Sequence, residues 1–278
     1  MPHRPTPPHS GRLATRGALA AIWVGALLCA GCAGPAAPPR DAPVATVLQF
    51  HGRAETHQAQ GPREVVIIRD RHPTGPGITY VDDELRALQR EHHELVTDLV
   101  AREFRLLGCE FNLGPLPTDG AAADHLDRLA WAEEQGDDPN RWSVYQPLRY
   151  QREFAGRLEV LGVEDPELYQ ADLAALDRLD DVVRLRRRTD WTSGPTDDEL
   201  RRNEAQILVS IRLNVQKRGA AAARNLVRLM DERHAPRAIL MLGAAHVPSA
   251  SRTLSELNVR HHVFTAPGFE RRDPAPRP

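Results

Sequence analysis

The sequence predicts an α/β protein, a mainly parallel sheet flanked by helices, with a helical insertion in the middle of the chain. Three observations carry that expectation. Short β-branched apolar runs alternate with longer segments whose apolar residues recur every three or four positions, the two periods of strand and helix. The chain opens on a strand–helix–strand order and closes on another, as parallel crossover units do. Its 278 residues, 41% hydrophobic and 27% charged, suffice for one large α/β domain or two small ones.

Before the first of those elements, Arg4, Arg12 and Arg16 precede a 14-residue apolar stretch, Gly17 to Ala30. A basic segment followed by a short apolar run is a signal peptide, and the run is too short to span a bilayer comfortably. It ends in Leu28-Cys29-Ala30-Gly31-Cys32, which resembles the lipobox of bacterial lipoproteins. That resemblance makes 1–31 the signal peptide and Cys32 the acylated first residue, with palmitate-class chains anchoring the protein to the membrane without spanning it. Ala33, not Asp, implies the outer membrane of a Gram-negative cell envelope; an ordinary secretory cleavage nearby is the alternative. Residues 32–43, rich in proline and alanine, read as an extended tether.

Loss of residues 1–31 moves the formal net charge from −2 to −5, because three arginines leave with them. No basic stripe remains, which argues against nucleic acid as a partner. Cys109 is then the one cysteine besides Cys32, so no intrachain disulfide forms, and its apolar neighbours place it inside.

The domain is expected over 44–267. Val44 to Phe50 and Val65 to Ile68 read as strands. From Asp82 to Arg102, Leu85, Leu88, His92, Leu95, Leu99 and Val100 form a helical stripe that Asp82 or Asp83 caps, and 105–112 returns to a strand. The insertion, about 121–195, reads as helices over 121–135, 146–161 and 166–187. A long helix follows from Thr196 to Lys217, ended by Gly219, and another spans 220–234. Arg237 to Leu242 is a strand, Ser249 to Leu257 a helix and Val259 to Phe264 a last strand; residues 268–278, proline-rich, read as a disordered tail.

Polar groups follow the apolar runs at three points. Arg69-Asp70-Arg71-His72 follows the first buried strand, Glu110 ends the next, and "RAILMLGAAHV" from Arg237 leads to His246. Parallel sheets gather ligands at the carboxyl ends of their strands. With neighbouring strands about 4.8 Å apart, His72 and His246 come within roughly 5–10 Å. Two imidazoles with Asp70 and Glu110 suit a divalent transition metal that acidifies a water; without metal, a histidine deprotonates the water while a carboxylate orients it. The pairs His92-His93 and His261-His262 diverge on their elements and do not chelate.

These residues resemble a superfamily containing the erythromycin esterase-like, ChaN-like haem-binding and TraB/Tiki proteins, over about Val44 to Pro267. The matching positions are Asp70 and His72, Glu110, Arg202-Asn203, and Gly243-Ala244-Ala245-His246, with Gln89 and Gly162 to Asp165 as weaker ones. Arg69 and Phe111 stand where the family usually has glycine, and Arg69 and Arg71 add positive charge beside His72, which favours anionic ligands. The resemblance implies an exported, lipid-anchored hydrolase acting on a small-molecule or peptide ligand. In it His72, Glu110 and His246 activate water, with Asp70 as a further metal ligand, and Arg202 stabilises the anion formed. Its haem-binding members imply as the alternative a non-catalytic binder of haem, iron or an anion, and the departures at Arg69 and Phe111 suggest a scaffold whose site has decayed.

Overall fold

The computed structural model describes residues 37–71, 83–117, 145–187 and 196–270, with isolated positions between 118 and 144. Residues from Pro38 onward belong to one unit. Its seven strands are β1 (Arg53–His57), β2 (Glu64–Asp70), β3 (Leu106–Asn112), β4 (Gly114–Pro115), β5 (Glu159–Glu164), β6 (Arg237–Gly243) and β7 (Arg260–Thr265). They lie in the order β1-β7-β2-β6-β3-β5-β4; the five inner strands run parallel, and β1 and β4 close the edges antiparallel. The α/β class and mainly parallel sheet that the sequence predicts are what the chain forms.

Helices α1 (Val44–His51), α2 (Asp83–Ala101) and α3 (Gln146–Glu153) cover one face of the sheet. On the other lie the carboxyl half of α5 (Asp197–Glu232) and α6 (Val247–Glu256). Strand parity sorts the core between these layers. Val66 and Ile68 pack under α2, while Val65 and Ile67 pack toward α5 and α6, and all four are fully buried. Burying such a side chain contributes about 1.5–3 kcal/mol, which is why the central strands are apolar on both faces. Helix α4 (Pro166–Arg186) is capped by Asp165, whose carboxylate accepts from the Glu167 and Leu168 amides. It pairs with the first half of α5 through Val182, Leu200 and Ile207. A capping box, Thr196 with Glu199, starts α5.

Several elements differ from the sequence reading. Val44 to Phe50 is helical: Val44, Val47 and Leu48 are its buried residues, and that three-then-four spacing outweighs β-branching. The span 146–161 divides into α3 and β5, so the segment read as a helical insertion supplies a strand of the main sheet. Gly219 does not end a helix, because α5 runs unbroken for 36 residues, about 54 Å at 1.5 Å per residue. The tail begins ordered: Pro267–Glu270 forms the short helix α7, and the Gly268 amide donates to Glu91 of α2 at 2.7 Å. The edge strands β1 and β4 carry no apolar alternation to find. The helix expected at 121–135 lies largely outside the described residues, as do Cys32 and the signal segment. Among the described residues, no helix is long and apolar enough to cross a membrane.

Candidate functional site

Asp70 continues the Val66–Ile68 series on β2 and so emerges on the α2 face. There its Oδ1 lies 3.7 Å from Nδ1 of His92. His92 is fully buried and neither ring nitrogen has a hydrogen-bond partner among the described residues; the same holds for the Tyr150 hydroxyl and the Gln89 carbonyl oxygen. Burial pulls the His92 pKa below its ordinary value, with the Asp70 charge opposing, and burial likewise raises that of Tyr150. His92 is therefore a neutral imidazole beside a carboxylate.

Glu110 lies on β3 one position after Cys109, and parity turns it to the opposite face. Its Oε1 accepts the Gly243 amide of β6 at 2.6 Å and stands 3.8 Å from Nε2 of His246. His246 sits in the turn that starts α6, with its Nδ1 2.9 Å from the Val215 carbonyl of α5. A carbonyl only accepts, so Nδ1 carries the proton and donates it; in the neutral ring the lone pair is on Nε2, on the Glu110 side.

Gly219 makes this contact feasible. A Cβ there would stand 2.3 Å from the His246 carbonyl oxygen and 2.3 Å from Ser249 Oγ, so only glycine lets α5 approach the loop this closely.

Two further charged groups complete the cluster. Glu164, at the end of β5, accepts from Arg218 Nε at 2.6 Å, and Arg218 also donates to Asp172 of α4 at 2.5 Å while its guanidinium lies over the Tyr169 ring. Burial raises the Glu164 pKa, with the Arg218 charge opposing. Glu110, Glu164, Arg218 and His246 line a cavity of about 10 Å³, room for a single water.

Of the sequence candidates, Glu110 and His246 meet, while Asp70 is paired with His92 across the sheet plane. His72 lies outside the described residues. Arg202 is exposed near the start of α5, sixteen residues and about 24 Å along the helix from Arg218, which stands by the carboxylates instead. The sequence reading missed Arg218; its one signal was the glycine after it. Arg71 lies over the Phe269 ring of α7. Burial pushes the Cys109 thiol up to about 12, leaving no thiolate nucleophile at neutral pH. The two histidine pairs diverge as expected: His93 bonds Glu153, His261 bonds Ser251, and His262 bonds Thr56 and Glu64.

Among the described residues no three His, Cys, Asp or Glu side chains converge as a metal site. Glu110 and His246 supply two donors, the third carboxylate of the cavity, Glu164, is paired with Arg218, and that guanidinium opposes a divalent cation, so the described set does not fit a metal.

No family model matches the chain, and no match was found among curated proteins. Among solved structures, the type III effector HopBA1 is similar over 75% of each chain, at 17% identity and a TM-score of 0.33.

Proposed function

We propose that the chain is an exported, lipid-anchored hydrolase that activates water between His246 and Glu110. The observation that carries this reading is the hydrogen bond from His246 Nδ1 to the Val215 carbonyl, which leaves Nε2 basic beside the Glu110 carboxylate and the water-sized cavity. In the step, Glu110 orients the water and Nε2 takes its proton as the oxygen attacks a carbonyl or similar electrophile of a small-molecule or peptide substrate. The imidazolium so formed pairs with Glu110, and Arg218, held by Glu164 and Asp172, offsets the negative charge on the tetrahedral intermediate; the imidazolium then returns its proton to the departing alkoxide or amine as the bond between it and the carbonyl carbon breaks.

The test is turnover of a panel of chromogenic esters and amides by the purified full-length chain. His246→Gln and Glu110→Gln lower kcat by about 100- to 10,000-fold, the usual contribution of a positioned base, with the melting temperature retained. Activity that survives His246→Gln rules the reading out.

The size of the cavity favours a second reading, a charge network kept for structure or ligand binding alone. In that case the panel shows no turnover, and adding haem or a divalent metal to the same protein separates a carrier, which shows a Soret band or stoichiometric metal, from a decayed site, which shows neither.

A further inference from the structure

At the opposite, amino end of the sheet lies a much larger cavity, about 440 Å³, in the size range of small-ligand sites. Its wall holds four arginines, Arg40, Arg102, Arg237 and Arg260, and three acids, Asp41, Glu64 and Glu103. Two of the acids are already engaged. Glu64 is paired with Arg237 at 3.1 Å and with His262 at 3.2 Å, and Glu103 accepts from Arg105 at 2.9 Å. Asp41 is left to oppose the remaining cations, together with the Glu64 charge that Arg260 also feels from the neighbouring strand.

Those cations are placed for an anion. Arg40 and Arg260 are exposed and have no carboxylate within ion-pair distance among the described residues; Arg40 commits only Nε, to the Ala101 carbonyl. Arg102 is nearly buried, its two terminal nitrogens spent on the carbonyls of Pro38, Pro39 and Asp98, while its Nε–H has no acceptor among the described residues. Helix α1 opens on the same cavity through Pro43 and Val44. It has no side-chain cap, and its first amides with an acceptor are those of Thr46 and Val47, on the Pro43 carbonyl. The positive end of a helix and spare guanidinium N–H groups meet at this cavity, with the unpartnered Nε–H of Arg102 buried within its wall.

We infer that this cavity binds a phosphate group carried on a small molecule or a lipid headgroup. A tetrahedral oxyanion takes several donors at once, which matches the guanidinium groups of Arg40, from α1's approach segment, and Arg260, from β7, while Arg237 of β6 is held by Glu64 and the Arg102 carbonyl; a cavity of this size leaves space for what the phosphate carries. The lipid source rests on the proposed acylation of Cys32, eight positions before Arg40 in the chain; the soluble source does not. The inference does not rest on the hydrolase reading, because none of its residues belongs to the Glu110–His246 cluster.

The experiment uses the chain from residue 32 onward carrying Cys32→Ser, so that neither acylation nor the apolar stretch Gly17 to Ala30 holds it on membranes. Two probes are titrated: inorganic phosphate by calorimetry, and phosphatidylglycerol vesicles by co-sedimentation, with phosphatidylcholine vesicles as the neutral control. Saturable phosphate binding is expected, weakened at least about tenfold by the double variant Arg40→Gln/Arg260→Gln and by raised salt. Both side chains are exposed, so the variant keeps the parent's circular dichroism and melting temperature. A preference for phosphatidylglycerol vesicles that the double variant abolishes identifies the headgroup as the source; phosphate binding without that preference identifies a soluble phosphate compound. Absence of binding to both probes, or binding that the double variant leaves intact, overturns the proposal.

Discussion

Asp70 and Glu110 are both acids at strand ends, yet they face different layers, and the difference was written in the strands. Val66, Ile68 and Asp70 share one parity on β2, whereas on β3 the fully buried Cys109 takes that face and Glu110 the other. Asp70 therefore meets His92, and the buried imidazole makes stability depend on pH. The folded state holds His92 neutral at pH values where a free imidazole, with its ordinary value of 6.5, gains a proton. Below about pH 6.5 the unfolded chain binds the extra proton and acid favours unfolding, with a slope of up to about 1.4 kcal/mol per pH unit for one group. Urea unfolding between pH 7.5 and 5 is expected to show a steeper loss of stability in the parent than in His92→Leu, and parallel curves would refute the assignment. His246 was legible as well, from an apolar run ending in glycine. Its partner Val215 was not, because a backbone carbonyl in mid-helix leaves no trace in the side-chain pattern.

Elements with a strong period were recovered nearly to their ends: β2, α2, β3, β6, α6 and β7. Two that failed, Val44 to Phe50 and the run after Leu158, share a cause, since a short apolar run satisfies either period and tertiary packing decides between them. Val44 to Phe50 became a helix because only one side of it meets the core. The run after Leu158 became β5 because Val160 and Val163 are buried on opposite faces of the sheet. Gly219 offers the sharpest test of an element's logic. Helix propensity alone predicts that Gly219→Ala stabilises α5 by about 1 kcal/mol. Close packing predicts the reverse, because the new Cβ overlaps the His246 carbonyl and Ser249, and overpacking of that kind costs about 1–3 kcal/mol. Thermal unfolding is expected to show a lower melting temperature for the variant, by about 2–4 °C for each kcal/mol lost. A rise would show that the loop moves aside at little cost.

The molecule has two chemically different ends. At the carboxyl end Glu110, Glu164, Arg218 and His246 surround space for one water, while the amino end presents an arginine-walled cavity lined in part by Arg40 to Val44. The proposed attachment to a membrane through Cys32 has its own energetics. Each buried CH₂ contributes about 0.8 kcal/mol, so one chain of myristoyl length binds only reversibly, whereas the several chains of an acylated cysteine hold a protein through repeated washing. Cells fed radiolabelled palmitate are therefore expected to label the parent chain, and its membrane association to survive high salt yet yield to detergent. Cys32→Ser is expected to lose the label entirely. Loss of label is the deciding readout, because an uncleaved leader with the apolar stretch Gly17 to Ala30 can itself retain the variant on membranes. Label that persists in Cys32→Ser places the lipid elsewhere or shows that no lipobox is used, and the proposal of a phosphate site at the amino end then rests on a soluble phosphate compound rather than a lipid headgroup.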